Sequence, residues 1–148
     1  MYKLGAIRNE HGEWEPKIKL SENAVKVSNP GIQQVRRFSL NGEFRGDAIY
    51  DEEHGCPAQV EIVHPSDASR SKNPPQGATY EDLLQPVFRA GALVASLPTL
   101  PQIQNRCRAQ LAHLHATVKR LQHPHEYAAG VERTLHDRKV QLIQKAKS

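Results

Sequence analysis

The chain has 148 residues, of which 38% are hydrophobic and only 5% aromatic, so it can form one domain around a thin core that buries roughly two-thirds of its unfolded surface. Its formal charge of +4 favours anionic ligands, yet sixteen acids interspersed among twenty bases argue against a dedicated polyanion binder. No nucleic-acid partner is expected. No apolar run approaches the roughly 20 residues a membrane helix needs, the N-terminus lacks a signal-peptide apolar block, and Cys56 and Cys107 form neither a Cys-x-x-Cys pair nor a secreted-type framework. These features point to a cytoplasmic protein with free thiols. A mean hydropathy of -0.64 with ten prolines and nine glycines suggests long surface connections, or a piece whose apolar faces meet a larger partner.

In chain order, residues 2–7 and 14–20 read as two strands joined by a turn at 8–13, with Lys17 and Lys19 on one face and Ile18 and Leu20 on the other. Asn29-Pro30-Gly31 is a turn signal. Residues 32–40 and 43–51 read as a hairpin about Asn41-Gly42, the strongest short hairpin signal in the chain. A short strand is predicted at 59–64. Residues 65–79 carry no apolar side chain larger than alanine and read as an exposed loop.

Residues 80–86 can start as a helical turn that Pro86 stops, and 87–94 read as a second tight hairpin about Ala90-Gly91. Thr99 and Gln102 match a capping box. Ile103, Cys107, Leu111, Leu114, Val118 and Leu121 then recur every three or four residues and predict an amphipathic helix ending before Pro124. Beyond Gly130, the spacing of Val131, Leu135, Leu142 and Ile143 predicts a second helix to about Lys145. The fold class expected is α+β, with β-hairpins in the N-terminal half followed by two amphipathic helices.

The densest chemistry lies in residues 17–38. Lys3, Lys17, Lys19, Lys26, Arg36 and Arg37 carry groups that give charge-assisted hydrogen bonds to phosphate oxygens, and the plain alternative is a solvated basic face. His113 and His115, two apart, point about 200° from each other on a helix and chelate poorly. His123 and His125 flank Pro124, where a turn role is expected. The acids Asp51, Glu52, Glu53, Glu81 and Asp82 read as exposed turns or caps. No Ser-His-Asp order, dinucleotide fingerprint or Walker loop is present.

Tyr2-Lys3-Leu4, the 17–38 stretch, residues 80–94 and residues 114–127, which include His123-Pro124-His125-Glu126-Tyr127, together resemble the C-terminal portion of nicotinate phosphoribosyltransferase in the family's order. That resemblance implies the end of an α/β barrel over residues 1–30 and the family's C-terminal domain over 31–148. It implies an enzyme that forms nicotinate mononucleotide and pyrophosphate from nicotinate and phosphoribosyl pyrophosphate, coupled to ATP hydrolysis, with Mg2+ required and a homodimer as the working form. Lys3 and Lys19 match the family's lysines that reach the substrate phosphates, and Ser21 follows by adjacency.

The glycine-rich phosphate loops and the phosphorylated histidine of that family have no counterpart here. The chain is therefore expected to be a C-terminal segment, inactive alone and with no cofactor of its own, whose side at Tyr2, Leu4 and Ile7 lacks neighbours. The alternative is a stand-alone, non-catalytic module that binds an anionic partner.

Overall fold

The computed structural model describes residues 3–22 and 26–148. Its centre is a six-stranded sheet in the spatial order β6 (Asp67–Lys72), β5 (Ile62–His64), β10 (Ala129–Glu132), β4 (Glu43–Asp51), β3 (Gln33–Leu40) and β7 (Thr79–Asp82). Strands β3 (Gln33–Leu40) and β4 (Glu43–Asp51) form the hairpin expected from the sequence. Asn41 and Gly42 both take positive φ, 54° and 75°, the conformation that matches strand twist across a two-residue turn. Along β4 the side chains alternate, so that Ala48 and Tyr50 face the core while Asp47 and Ile49 face the other side. Phe38, Ala48, Val60 and Ile62 make that core, with Cys56 and Ala78 packed against it.

Strand β10 (Ala129–Glu132) runs parallel to β4 and antiparallel to β5 (Ile62–His64), and so closes the middle of the sheet. The sequence reading placed Val131 on the final helix. The observed helix α2 (Arg133–Lys145) starts after β10, because the buried Glu132 carboxylate accepts from the amides of Thr134 and Leu135 at 2.9 and 3.2 Å and opens the helix there. Gly130 is required by packing, since a Cβ at that position would overlap the Val63 carbonyl.

Both outer strands differ from the sequence expectation. Residues 67–72, read as loop, form the exposed edge strand β6 (Asp67–Lys72) on β5. Thr79, read as the end of that loop, and residues 80–82, read as a helical turn, form β7 (Thr79–Asp82) on β3. An edge strand exposed on both faces needs no apolar alternation, so its composition resembles a loop.

The first predicted hairpin is shorter than expected. Strands β1 (Ala6–Arg8) and β2 (Trp14–Pro16) pair, and residues 17–20 continue without strand geometry. Tyr2, at the start of that predicted strand, lies outside the described residues. The tight hairpin about Ala90-Gly91 is present as β8 (Phe88–Arg89) and β9 (Ala92–Leu93), with φ of 48° and 81° at its turn.

Helix α1 (Leu100–Ala112) begins where the capping signal put it, and the Gln102 side-chain oxygen accepts from the Thr99 amide at 2.7 Å. It ends well before Leu121. There the His113 carbonyl accepts from Phe44 N at 2.9 Å and its Nδ1 sits 2.6 Å from the Gly42 carbonyl, so the chain leaves helical geometry to hold the β3-β4 turn. No residue of α1 is buried. The apolar stripe that predicted an amphipathic helix is exposed at Ile103, Cys107, Leu111 and Leu121. Among the described residues, no helix is long and apolar enough to cross a membrane.

Candidate functional site

Gly5 organises the basic N-terminal region. Its carbonyl accepts from both Lys17 N at 2.7 Å and Gly31 N at 2.8 Å, tying three separate segments into one frame. Lys3 lies two residues before this junction, and its ammonium donates to the Lys26 carbonyl at 3.0 Å. Lys19 lies two residues beyond it. Its amide donates to Ser28 Oγ at 2.8 Å, and Ser28 N donates back to the Lys19 carbonyl at 3.3 Å. Ser21 is half-buried just beyond. The backbone thus gathers the segments carrying Lys3, Lys19 and Ser21 beside the 26–31 stretch.

The six cations do not act as a single set. Arg36 and Arg37 are adjacent in β3 and point to opposite faces. Arg36 forms a bidentate pair with Asp82, at 2.8 Å to each oxygen, between the rings of Tyr50 and Tyr80 at 5.0 and 4.1 Å from their centres. Arg37 pairs with Asp47 at 2.9 and 2.7 Å, and donates at 3.1 Å to Gln110 of α1. The Arg36 guanidinium pulls the Asp82 carboxyl below its usual range despite partial burial. Lys17 is held by Glu15 at 2.7 Å. Both arginines are thus held in ion pairs within the sheet, which sets them apart from a freely solvated basic face.

Asp51 also departs from the exposed-turn reading. It is 5% exposed and accepts from Ile32 N, Glu53 N and Arg138 Nη1, with His54 Nδ1 at 3.0 Å. The histidine pairs are engaged locally: His115 Nδ1 lies 2.7 Å from Thr117 Oγ1, and His125 N donates to the Thr117 carbonyl at 3.0 Å. Tyr127 Oη donates to Asp47 at 2.9 Å, and burial pushes the phenol pKa up.

Sequence reasoning missed Lys139. This α2 residue is half-buried, and its ammonium donates to Asn29 Oδ1 at 3.0 Å and to the Val27 carbonyl at 3.4 Å. Burial, with the nearby Lys3 charge, lowers its pKa. Its position was a usable signal, because Lys139 falls four residues after Leu135 and three before Leu142, on the apolar stripe itself. Two basic side chains from distant parts of the chain therefore meet the 26–29 segment, Lys3 from one end and Lys139 from the other.

The profile described as "Nicotinate phosphoribosyltransferase C-terminal domain" matches residues 32–139. The chain belongs to that family. It is 32% identical over 152 aligned positions to nicotinate phosphoribosyltransferase of Bacillus subtilis, covering 100% of this chain and 31% of the relative. It is 31% identical over 144 positions to nicotinate phosphoribosyltransferases 1 and 2 of Arabidopsis thaliana, covering 93% of this chain and 24% and 25% of theirs. The fold matches the crystal structure of human nicotinic acid phosphoribosyltransferase with a TM-score of 0.64 at 24% identity, over 78% of this chain and 24% of that one. The chain thus spans about a third or less of the length of these relatives.

Proposed function

We propose that this chain acts as the C-terminal segment of a nicotinate phosphoribosyltransferase, completing a phosphate site in a reaction that joins nicotinate to phosphoribosyl pyrophosphate in NAD biosynthesis. The observation that carries this reading is the similarity to the Bacillus subtilis enzyme along the whole chain, basic frame included. Residues 1–30 are assigned to the end of the catalytic barrel and 31–148 to the closing domain.

Within this reading Lys3 and Lys19 place ammonium groups against the phosphates of phosphoribosyl pyrophosphate, with the Ser21 hydroxyl beside them. Charge-assisted bonds to those oxygens hold the substrate and stabilise the charge that develops on departing pyrophosphate. The Gly5 junction sets the spacing of the two lysine segments. ATP and Mg2+ are assigned to residues outside this chain. Among the described residues no three His, Cys, Asp or Glu side chains gather into a group that could hold a metal ion.

The exposed apolar surface supports a segment of something larger. Leu4, Phe88, Leu93, Leu97, Leu100 and Ile103 are each about half exposed or more. If these side chains form a continuous surface with the rest of a longer protein, burying them there would add to its stability. A homodimer in the cytoplasm completes the proposal.

The test is an assay of the purified 148-residue chain with nicotinate, phosphoribosyl pyrophosphate, ATP and Mg2+. No nicotinate mononucleotide is expected. Turnover at an enzymatic rate would overturn the assignment of the chemistry to residues outside the chain.

A further inference from the structure

A cavity of about 480 Å³ opens on the side of the sheet opposite the core. Its floor is a row across three strands, Val35, Ile49 and Val131, held side by side by register: Val35 pairs with Ile49 and Ile49 with Val131. Val27, Ala129 and Pro65 extend the apolar wall. At one end stands Lys139. The volume lies within the roughly 300–1,000 Å³ of small-molecule sites, and an apolar lining with one oriented charge is their usual composition.

Lys139 is a cation in search of an anion. Its bonds go to a carbonyl and an amide oxygen, both neutral, and among the described residues it makes no ion pair. The one charge that perturbs it is another cation, Lys3. Asp47, the acid on the cavity wall, is already bound by Arg37 and Tyr127. Burying an ammonium without a counter-charge is costly, and an anion entering the cavity relieves that cost.

We infer that this cavity binds a small apolar carboxylate, its head group on the Lys139 ammonium and its body against Val35, Ile49 and Val131. A carboxylate matches the single ammonium, and an apolar body matches the three branched side chains. A free phosphate satisfies the charge and leaves the apolar row uncovered. The cavity adjoins the proposed phosphate site, since Lys3 is the charge felt by Lys139, but the inference stands even if Lys3 and Lys19 play no part in phosphoribosyl pyrophosphate binding.

The experiment is an NMR titration of the ¹⁵N-labelled 148-residue chain with benzoate, its neutral isostere benzamide and inorganic phosphate. Benzoate is expected to give saturable shifts at the amides of residues 27, 35, 49, 131 and 139, and to bind about tenfold or more tightly than benzamide. Lys139→Gln should remove that preference, and Lys139→Arg should keep it. Equal affinities for benzoate and benzamide, shifts elsewhere, or no saturable shift would overturn the inference. So would phosphate binding as tightly as benzoate, which marks a simple anion site at Lys3 and Lys139. The comparison of ligands on the unaltered chain decides the matter even if a Lys139 variant fails to fold.

Discussion

Asp51 and Arg138 are separated by 87 residues in sequence, and Arg138 Nη1 meets Asp51 Oδ2 at 2.7 Å. The pair pins helix α2 to the end of strand β4. Since Asp51 also accepts from Ile32 N, it fixes the turn by which the basic N-terminal frame enters the sheet. Arg138→Met leaves a nearly buried carboxylate without its cation. A loss of roughly 2 kcal/mol is expected, below the full figure for a buried pair because the arginine is 21% exposed. The midpoint of urea unfolding reads it.

Gly31 adjoins the same carboxylate. It has φ of 86°, and a Cβ added there would overlap the Asp51 side chain. Gly31→Ala should cost about 2 kcal/mol or more, combining left-handed strain with overpacking. A change at Gly42, with φ of 75° and open space around it, carries the strain alone and should cost about 1 kcal/mol. Comparing the two midpoints separates the contributions.

The Arg36–Asp82 pair sets a pH dependence. The guanidinium hydrogen bonds hold the Asp82 carboxyl below its usual value, so the native state binds fewer protons than the unfolded chain as pH falls. The stability gained is present above the unfolded value of about 3.9 and is lost as pH drops through the lower folded one. Asp82→Asn should flatten the acid limb of the stability curve between about pH 5 and pH 2. Thermal unfolding across that range measures it. An unchanged slope would show that the pair does not couple to folding.

Helix α1 gives the opposite expectation. Ile103 is 49% exposed and no α1 residue is buried, so Ile103→Gln should change the stability of the isolated chain by no more than about 0.5 kcal/mol. A loss of several kcal/mol would place that stripe in a core.

The central hairpin was legible because Asn41-Gly42 specifies its turn locally and the flanking residues alternate. The start of α1 was legible because Thr99 and Gln102 lie three apart. Its end was not, since the contacts that stop it reach from His113 back to Gly42 and Phe44. Strands β6, β7 and β10 exist through pairing with distant partners, and short segments of Ser, Arg, Glu or Gly carry no periodic signal for that. The same non-locality hid the state of Arg36 and Arg37. Their carboxylates arrive from β7 and β4, so a linear reading counts charges that the fold neutralises. Lys3 and Lys19 were selected by resemblance. Lys139 was missed, although it stands as a charge on an apolar stripe.

The most direct test replaces the corresponding segment of the Bacillus subtilis enzyme with this chain and measures the KM for phosphoribosyl pyrophosphate, with and without Lys3→Met and Lys19→Met. The account expects an active chimera in which the two changes together raise that KM by about tenfold or more, through lost charge-assisted bonds, while the KM for nicotinate stays put. An active chimera whose KM for phosphoribosyl pyrophosphate is untouched by both changes would contradict it.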